Sequence, residues 1–196
     1  MIDSIQSSLR EAHVALTNLL ANDEALANIE RAADLLIAAF ETRNRVYSCG
    51  NGGSMCDAMH FAEELSGRYR GDRAALGATA ISDAGHLTCV GNDMGYERVF
   101  SRYIEAHGRE GDCLLALSTS GTSKNIIAAA RTAKELGLKV IILSGKRSPE
   151  LEALSDVYLC TPGGSYADRV QELHIKVLHI LIELIERRLF PQNYAA

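Results

Sequence analysis

The chain has 196 residues, of which 47% are hydrophobic and 23% are charged, and its 20 Lys and Arg against 25 Asp and Glu give a formal net charge of -5. This balance is typical of an ordinary soluble globular protein, and the lack of a basic excess argues against a nucleic-acid partner. No apolar run is long enough to cross a bilayer, and no basic stretch followed by an apolar block indicates a secretory signal, so no membrane partner is expected.

The cysteines indicate a reducing environment. Their number is odd, and no two of them have the C-x-x-C spacing of a redox or zinc motif. Cys49, Cys113 and Cys160 lie in apolar runs, where a cysteine is typically a small buried hydrophobic residue. We therefore expect free thiols and a cytoplasmic location.

Two helices are predicted before the first strand. Apolar residues recur at helical spacing as far as Leu20, Asn22 and Asp23 offer a break and a cap, and a second amphipathic stretch covers about residues 24–40. Two helices joined by a short turn cannot bury both of their apolar faces against each other. We expect residues 1–44 to form a helical arm that packs against the rest of the chain or against another subunit.

From residue 45 onward, short apolar strands alternate with helices. The predicted strands cover residues 46–49, 78–82, 113–118, 139–143 and 156–160, and the last predicted helix covers about residues 165–188. This alternation predicts an α/β fold in which a parallel five-stranded sheet has helices on both faces. We expect residues 1–196 to form a single domain with its core in 45–196, and ligands to bind beyond the carboxyl ends of the strands.

A hydroxyl-rich loop follows the third predicted strand. Five of the six residues from Ser118 to Ser123 carry hydroxyl groups, and the sixth is Gly121. Hydroxyls and free N–H groups at a helix N-terminus form an anion site, whereas a plain helix cap needs only one such residue. Because the loop lacks the Gly-Lys-Ser/Thr ending of a nucleotide triphosphate loop, it indicates the single phosphate of a sugar phosphate.

Two other turns contain candidate ligand contacts. Residues 50–54 form a glycine-rich turn around Asn51, which either a close ligand or a tight turn would explain. Gly91-Asn92-Asp93 is a turn signal in the middle of the chain, and Asn92 and Asp93 could equally be ligand contacts.

Polar residues on two predicted helices form a further candidate group. His60 and Glu64 are four residues apart and share a helix face. This spacing suits two metal ligands or an acid–base pair, and equally a hydrogen-bonded pair that faces solvent. On the last helix, His179 is embedded in an apolar stretch and must be at least half-buried. Gln171 lies two turns earlier and could line the same cavity. These residues alone do not choose between His174 and His179.

Five motifs lie in order along nearly the whole chain, at residues 48–54, 57–65, 89–93, 118–121 and 166–172. Together they resemble the phosphoheptose isomerases of the sugar isomerase (SIS) superfamily. The resemblance implies a flavodoxin-like α/β core with flanking helices, and a homotetramer whose active sites lie at subunit interfaces. It also implies conversion of sedoheptulose 7-phosphate to D-glycero-D-manno-heptose 7-phosphate, the first step toward the heptose of the lipopolysaccharide inner core.

The resemblance also implies roles for individual residues. One zinc ion per subunit would be bound by His60, Glu64, Gln171 and His179, which favours His179 over His174. Glu64 and His179 would be the catalytic acid–base pair. The substrate contacts would be Asn51, Gly52, Gly53, Glu64, Asn92, Asp93, Ser118, Thr119, Ser120, Ser123 and Gln171. A glutamine is an unusual zinc ligand, because zinc in proteins normally takes Cys, His, Asp or Glu.

A scaffold from the same superfamily is the alternative. It resembles this chain in its Gly-Asn-Gly turn, its Ser/Thr loop and the stretch at residues 189–192, and it binds the bacterial replication initiator protein without being an isomerase. The scaffold has small residues where this chain has Glu63 and Glu64. A scaffold has no need of a carboxylate beside His60, so Glu64 favours the isomerase.

Overall fold

The computed structural model describes residues 1–164 and 166–195. Its strands are β1 (Val46–Gly50), β2 (Ala78–Ala80), β3 (Cys113–Ser118), β4 (Lys139–Ser144) and β5 (Val157–Cys160). Its helices are α1 (Ile2–Leu20), α2 (Asp23–Glu41), α3 (Gly53–Ser66), α4 (Ala84–Asp93), α5 (Val99–His107), α6 (Lys124–Glu135), α7 (Pro149–Leu154) and α8 (Ala167–Leu189), with 3-10 turns at Tyr96–Arg98 and Pro191–Tyr194. Ser165, where the last helix was predicted to begin, and Ala196 lie outside the described residues.

Side-chain caps fix the start of two helices. Asn22 Oδ1 accepts a hydrogen bond from the backbone N–H of Ala25 at 3.0 Å, at the start of α2. Asp83 Oδ1 accepts one from the backbone N–H of His86 at 2.7 Å, at the start of α4. Each cap satisfies a backbone N–H that has no partner within its own helix.

The strands form one parallel sheet in the order β2-β1-β3-β4-β5. This order confirms the predicted α/β fold with a flavodoxin-like sheet. Gly50 pairs with Leu117, and Ser118 pairs with Ser144, so β1, β3 and β4 end at one edge of the sheet. The order reverses between β1 and β3, and in sheets of this kind the reversal opens a ligand-binding crevice beyond the carboxyl ends of those two strands.

Helices cover both faces of the sheet. Alternate residues of a strand point to opposite faces, and Leu115 and Leu117 of β3 belong to a core shared with α2, α3 and α8. Leu114 and Ala116 of the same strand belong to a second core, shared with α5, α6 and α7. Helix α1 joins the first core through Leu19. The layer that contains α3 and α8 therefore brings together two helices with candidate site residues.

Two predictions for the region between β1 and β3 are wrong. Gly91, Asn92 and Asp93 do not form a turn but are the last residues of α4, because the Asp83 cap starts a helix that runs through them. The second strand ends at Ala80 instead of residue 82, because the chain turns there toward that cap. Helices α5 and α7 had not been predicted at all.

The outer face of α1 leaves apolar side chains uncovered: Ile2, Ile5, Leu9, Leu16 and Leu20. A contiguous apolar face of this kind typically marks contact with another protein chain. Within residues 1–164 and 166–195, no helix combines the length and the apolar character needed to span a bilayer.

Candidate functional site

The candidate site begins where the strand order reverses. Asn51 follows β1 and Asn125 lies in the first turn of α6, and their side-chain amides pair in both directions. Asn51 Nδ2 donates to Asn125 Oδ1 at 2.9 Å, and Asn125 Nδ2 donates to Asn51 Oδ1 at 2.8 Å. The Tyr96 hydroxyl also donates to Asn51 Oδ1, at 3.2 Å. The amide of Asn51, a predicted substrate contact, therefore joins the two loops that border the crevice.

The hydroxyl-rich loop is shaped by its own hydrogen bonds. Ser118 Oγ accepts from the Gly121 N–H at 3.1 Å and donates to Ser123 Oγ at 3.2 Å. Ser120 Oγ accepts from the Thr122 N–H at 3.2 Å. Gly121 has a φ of +70°, in the left-handed region that favours glycine. The loop therefore holds a fixed shape at the N-terminus of α6, where N–H groups and the helix dipole favour an anion.

Exposure divides the residues of this loop by role. Ser118 is buried, Thr119 and Ser123 are half-buried, and Ser120 is exposed. Ser118 thus stabilises the loop from beneath, while the hydroxyl of Ser120 can meet an anion directly.

Gln171 of α8 lies over the start of α3. A Cβ atom at Gly53 would lie 2.6 Å from Gln171 Nε2, so the glycine makes room for the amide. Gly52, just before it, has a φ of +56°, where a side chain would be strained. These two glycines are explained by the close approach of α8 and by the turn itself, and they bring the Gln171 amide to the crevice.

A second polar cluster joins α3 to α8. His60 Nε2 lies 2.9 Å from His179 Nε2 and 3.5 Å from Glu64 Oε1. His60 Nδ1 lies 3.3 Å from Glu63 Oε1, and the ring of Tyr69 stacks on His179 with 5.9 Å between centroids. The structure therefore brings together three of the four predicted metal ligands.

Two donor-atom distances in this cluster suit a tetrahedral metal site. Two ligands of a tetrahedral zinc ion are roughly 3.3 Å apart, close to the distances from His60 Nε2 to His179 Nε2 and to Glu64 Oε1. Two imidazoles and one carboxylate are also a donor set of catalytic zinc sites, in which the fourth position stays open. Among the described residues, the ligand atoms that all lie within 4.8 Å of one another belong to His60, Glu63 and Glu64, and His179 adjoins this group through His60.

Burial shifts the titration of both predicted catalytic groups. It raises the pKa of Glu64, and the neighbouring Glu63 carboxylate adds to that rise. Burial also lowers the pKa of His179, and the nearby His60 lowers it further. These shifts bring the two groups closer in basicity, which suits proton exchange with one bound substrate.

Gln171 stands apart from this cluster along α8. It precedes His179 by eight residues, which corresponds to about 12 Å along the axis of a helix. Its amide contacts the turn at Gly53 instead. The structure thus separates the fourth predicted ligand from the other three.

His174 is directed into the core. It is completely buried, and neither ring nitrogen has a hydrogen-bond partner among the described residues. Burial lowers the pKa of His174 to about 4, and the nearby Ser144 backbone opposes part of this shift. His174 is therefore neutral at physiological pH and is not part of either polar cluster.

Asn92 and Asp93 are exposed at the end of α4. Asn92 Nδ2 donates a hydrogen bond to Asp93 Oδ1 at 2.8 Å. A Cβ atom at Gly91 would lie 4.0 Å from the ring of Tyr96, whose hydroxyl binds Asn51. The structure places the pair near the crevice without a direct contact to the other predicted residues.

Sequence reasoning missed residues that shape the site. Asn125 gave no signal, because an asparagine is common at the start of a helix, where its side chain can cap the backbone. Tyr96 gave no signal. A buried ion pair between Arg73 and Glu186 gave none either, because the partners are 113 residues apart.

Comparison with known proteins shows that the chain has a sugar isomerase domain: a family model described as "SIS domain" matches residues 10–145. The curated phosphoheptose isomerase of Pectobacterium atrosepticum is 55% identical over 97% of this chain and 98% of the relative. The chain belongs to the phosphoheptose isomerase family.

Two solved structures of phosphoheptose isomerases have a similar fold. The one from Francisella tularensis has a TM-score of 0.89 and 32% identity, covering 95% of this chain and 98% of that one. The one from Neisseria gonorrhoeae has a TM-score of 0.86 and 34% identity, and the match covers 94% of this chain and 97% of that one. The similarity extends over nearly the whole length of each chain.

Proposed function

We propose that this chain isomerises sedoheptulose 7-phosphate to D-glycero-D-manno-heptose 7-phosphate, the reaction implied by its family. The observation that carries the proposal is the cluster in which the Glu64 carboxylate and the His179 imidazole, from different helices, both lie within reach of His60. The replication-initiator scaffold is not favoured, because a binding scaffold has no use for this acid–base cluster. The product is a charged sugar phosphate that serves as a precursor of the lipopolysaccharide core. Such a precursor fits an enzyme that works in the cytoplasm.

The chemistry is a proton transfer between two adjacent carbons of the sugar. An aldose–ketose isomerisation proceeds through an enediol and needs one base for the C–H proton and a second group for the hydroxyl proton. We assign the C–H proton to the Glu64 carboxylate and the hydroxyl proton to the His179 imidazole. Both groups are half-buried, which limits the access of water that would compete for these protons.

The phosphate of the substrate is assigned to the loop after β3. Ser120 and the N–H groups at the start of α6 would bind it, with Thr119 and Ser123 beside them. Gly52, Gly53, Asn92 and Asp93 would contact the sugar, and Asn51 would position this wall of the crevice through Asn125.

A zinc ion, one per subunit, is proposed as the cofactor. His60, Glu64 and His179 would hold it, and when bound it would polarise the sugar carbonyl. Gln171 of the same subunit is about 12 Å away along α8, so we propose that the fourth ligand is the Gln171 of a neighbouring subunit. This assignment agrees with a homotetramer that has its active sites at subunit interfaces.

An activity assay tests the proposed function. Purified protein loaded with zinc is expected to convert sedoheptulose 7-phosphate to the heptose 7-phosphate. Chromatography of the products measures this conversion. Dialysis against a chelator is expected to remove activity, and added zinc to restore it. Zinc-loaded protein that folds but forms no product contradicts the proposal and favours the scaffold.

Replacing Ser120 by alanine is expected to raise KM more than it lowers kcat. Phosphate contacts are mainly uniform binding, made equally in the ground state and the transition state. Steady-state kinetics measure the effect, and Thr132→Ala, at the opposite end of α6, is the matched control. An unchanged KM for the folded Ser120→Ala variant would show that the serine only stabilises the turn.

The protein is expected to be a homotetramer in solution. The uncovered apolar face of α1 needs a partner chain, and light scattering at micromolar concentration should give four times the 21.2 kDa of one chain. Leu9→Lys, in the middle of this face, is expected to shift the mass downward. A monomeric wild-type mass contradicts this expectation and leaves the zinc site without its Gln171.

A further inference from the structure

The segment that follows α3 places a charged side chain between α3 and α8. Arg73 Nε lies 2.8 Å from Glu186 Oε1, and both side chains are completely buried. The guanidinium also donates to the backbone carbonyls of Glu64 at 2.6 Å and Leu65 at 2.7 Å. Arg73 therefore binds the last turn of α3 and an inward-facing carboxylate of α8 at the same time.

The other oxygen of Glu186 is bound by the 3-10 turn after α8. The Tyr194 hydroxyl donates to Glu186 Oε2 at 2.9 Å. Asn193 Nδ2 donates to the Asp72 carbonyl at 3.0 Å, next to Arg73 in sequence. The turn Pro191–Tyr194 thus holds both members of the ion pair, and each oxygen of the Glu186 carboxylate has a hydrogen-bond donor.

Stability alone is a poor explanation for this arrangement. Transferring two charges into the interior costs about as much as their attraction returns, and well-packed apolar residues of similar size often stabilise as much. What a buried, fully hydrogen-bonded pair does provide is one fixed geometry, because the planar guanidinium tolerates little displacement of its acceptors.

The pair is placed where such geometry affects the site. Arg73 binds the carbonyl of Glu64 itself, four residues after His60. Glu186 follows His179 by seven residues, two helical turns on, and therefore lies on the same face of α8. The distances from His60 and Glu64 to His179 depend on how far α3 is displaced along α8, and Arg73 with Glu186 connects these two helices.

We propose that Arg73, Glu186 and Tyr194 are positioning residues that fix the offset of α3 along α8 and so hold His60 and Glu64 opposite His179. This inference rests on the proposed function of the His60–Glu64–His179 cluster. The three residues do not touch the substrate, and they act through the backbone of α3 and the helix that carries His179.

Two conservative variants and one control test the inference. Arg73→Lys keeps the charge but loses the planar fork, and Tyr194→Phe removes one hydroxyl. Ile104→Ala, in the core on the opposite face of the sheet, lowers stability without involving α3 or α8. Four quantities are measured for each full-length variant: kcat, KM for sedoheptulose 7-phosphate, Co²⁺ affinity by visible absorption, and the melting temperature. The kinetic and binding measurements are made at temperatures well below the melting temperature.

A displacement of catalytic groups by about 1 Å lowers the rate by about 10²-fold. Loss of a residue that hydrogen-bonds a metal-binding residue weakens metal binding by about 10–100-fold. We expect Arg73→Lys to show both effects with KM unchanged, and Tyr194→Phe to show the same pattern more weakly. Ile104→Ala should lose melting temperature only. If Arg73→Lys does not fold, Tyr194→Phe decides by the same readouts.

The inference is overturned if the variants melt at lower temperature, as Ile104→Ala does, yet keep wild-type kcat and Co²⁺ affinity. The cobalt measurement separates this failure from that of the proposed function. A wild-type chain that binds Co²⁺ without isomerising the sugar overturns the proposed function alone, and the positioning role is then judged on Co²⁺ affinity.

Discussion

Glu64→Gln is expected to lower kcat by about 10²–10⁴-fold, the usual cost of losing a general acid or base. The glutamine keeps the size of the side chain and one oxygen but cannot accept the C–H proton. His179→Gln is expected to have an effect of similar size, because it removes the second proton carrier. Binding of the sugar phosphate should remain detectable by calorimetry in both variants, since the phosphate loop belongs to a different segment of the chain.

Two controls accompany these variants. Glu135→Gln makes the same chemical change at an exposed position in the last turn of α6, and it should leave turnover unchanged. His174→Ala leaves a cavity in the core and should cost stability, while the folded fraction keeps its turnover. Near-native turnover in Glu64→Gln, or loss of activity in His174→Ala but not in His179→Gln, would show that the acid–base assignment is wrong.

The stability of the protein is expected to fall as the pH falls from about 6.5 to about 4, because of His174. Burial lowers the pKa of this histidine in the folded state from 6.5 to about 4. Between these values the unfolded chain binds a proton that the folded chain does not, so acid favours unfolding. The full shift corresponds to about 3 kcal/mol of unfolding free energy, present at neutral pH and lost by pH 4.

Urea unfolding of the wild type and of His174→Leu, at one protein concentration and several pH values, measures this effect. Leucine fits a core of similar residues and has no proton to gain, so other acid-sensitive groups cancel in the difference between the two proteins. The difference in unfolding free energy should change in favour of the variant as the pH is lowered through this range. Parallel curves would mean that a hydrogen-bond acceptor stabilises the protonated His174 in the folded protein and keeps its pKa near 6.5.

The sequence predicted the sheet and the long helices because their signals are local. Continuous apolar runs such as residues 113–118 occur where a strand is covered on both faces, and the structure buries all of β3. The helices α4 and α5 were harder to predict than the sheet, since Gly91, Asn92 and Asp93 have low helix propensity. There, the Asp83 cap and packing against the sheet outweighed the turn signal.

The site was predictable in its residue types but not in its geometry. Helical spacing alone places His60 and Glu64 on one face, and the apolar context of His179 indicates that it is half-buried, as it is. Which histidine of α8 meets α3 depends on the rotation and offset of two helices, and these are determined by long-range contacts. Arg73 with Glu186, and Asn51 with Asn125, have no pattern in the sequence because each pair forms only in the folded chain.

The pairing of Asn51 with Asn125 also affects how the protein ages chemically. Asn51 is followed by Gly52, and an asparagine–glycine step is prone to deamidation because the glycine N–H can attack the side-chain carbonyl to form a succinimide. In the folded protein the Asn51 carbonyl accepts two hydrogen bonds and its nitrogen donates to Asn125, which holds the amide away from that attack. Conversion to aspartate would place a negative charge at the crevice, so the working lifetime of this loop depends on how rarely the pair opens.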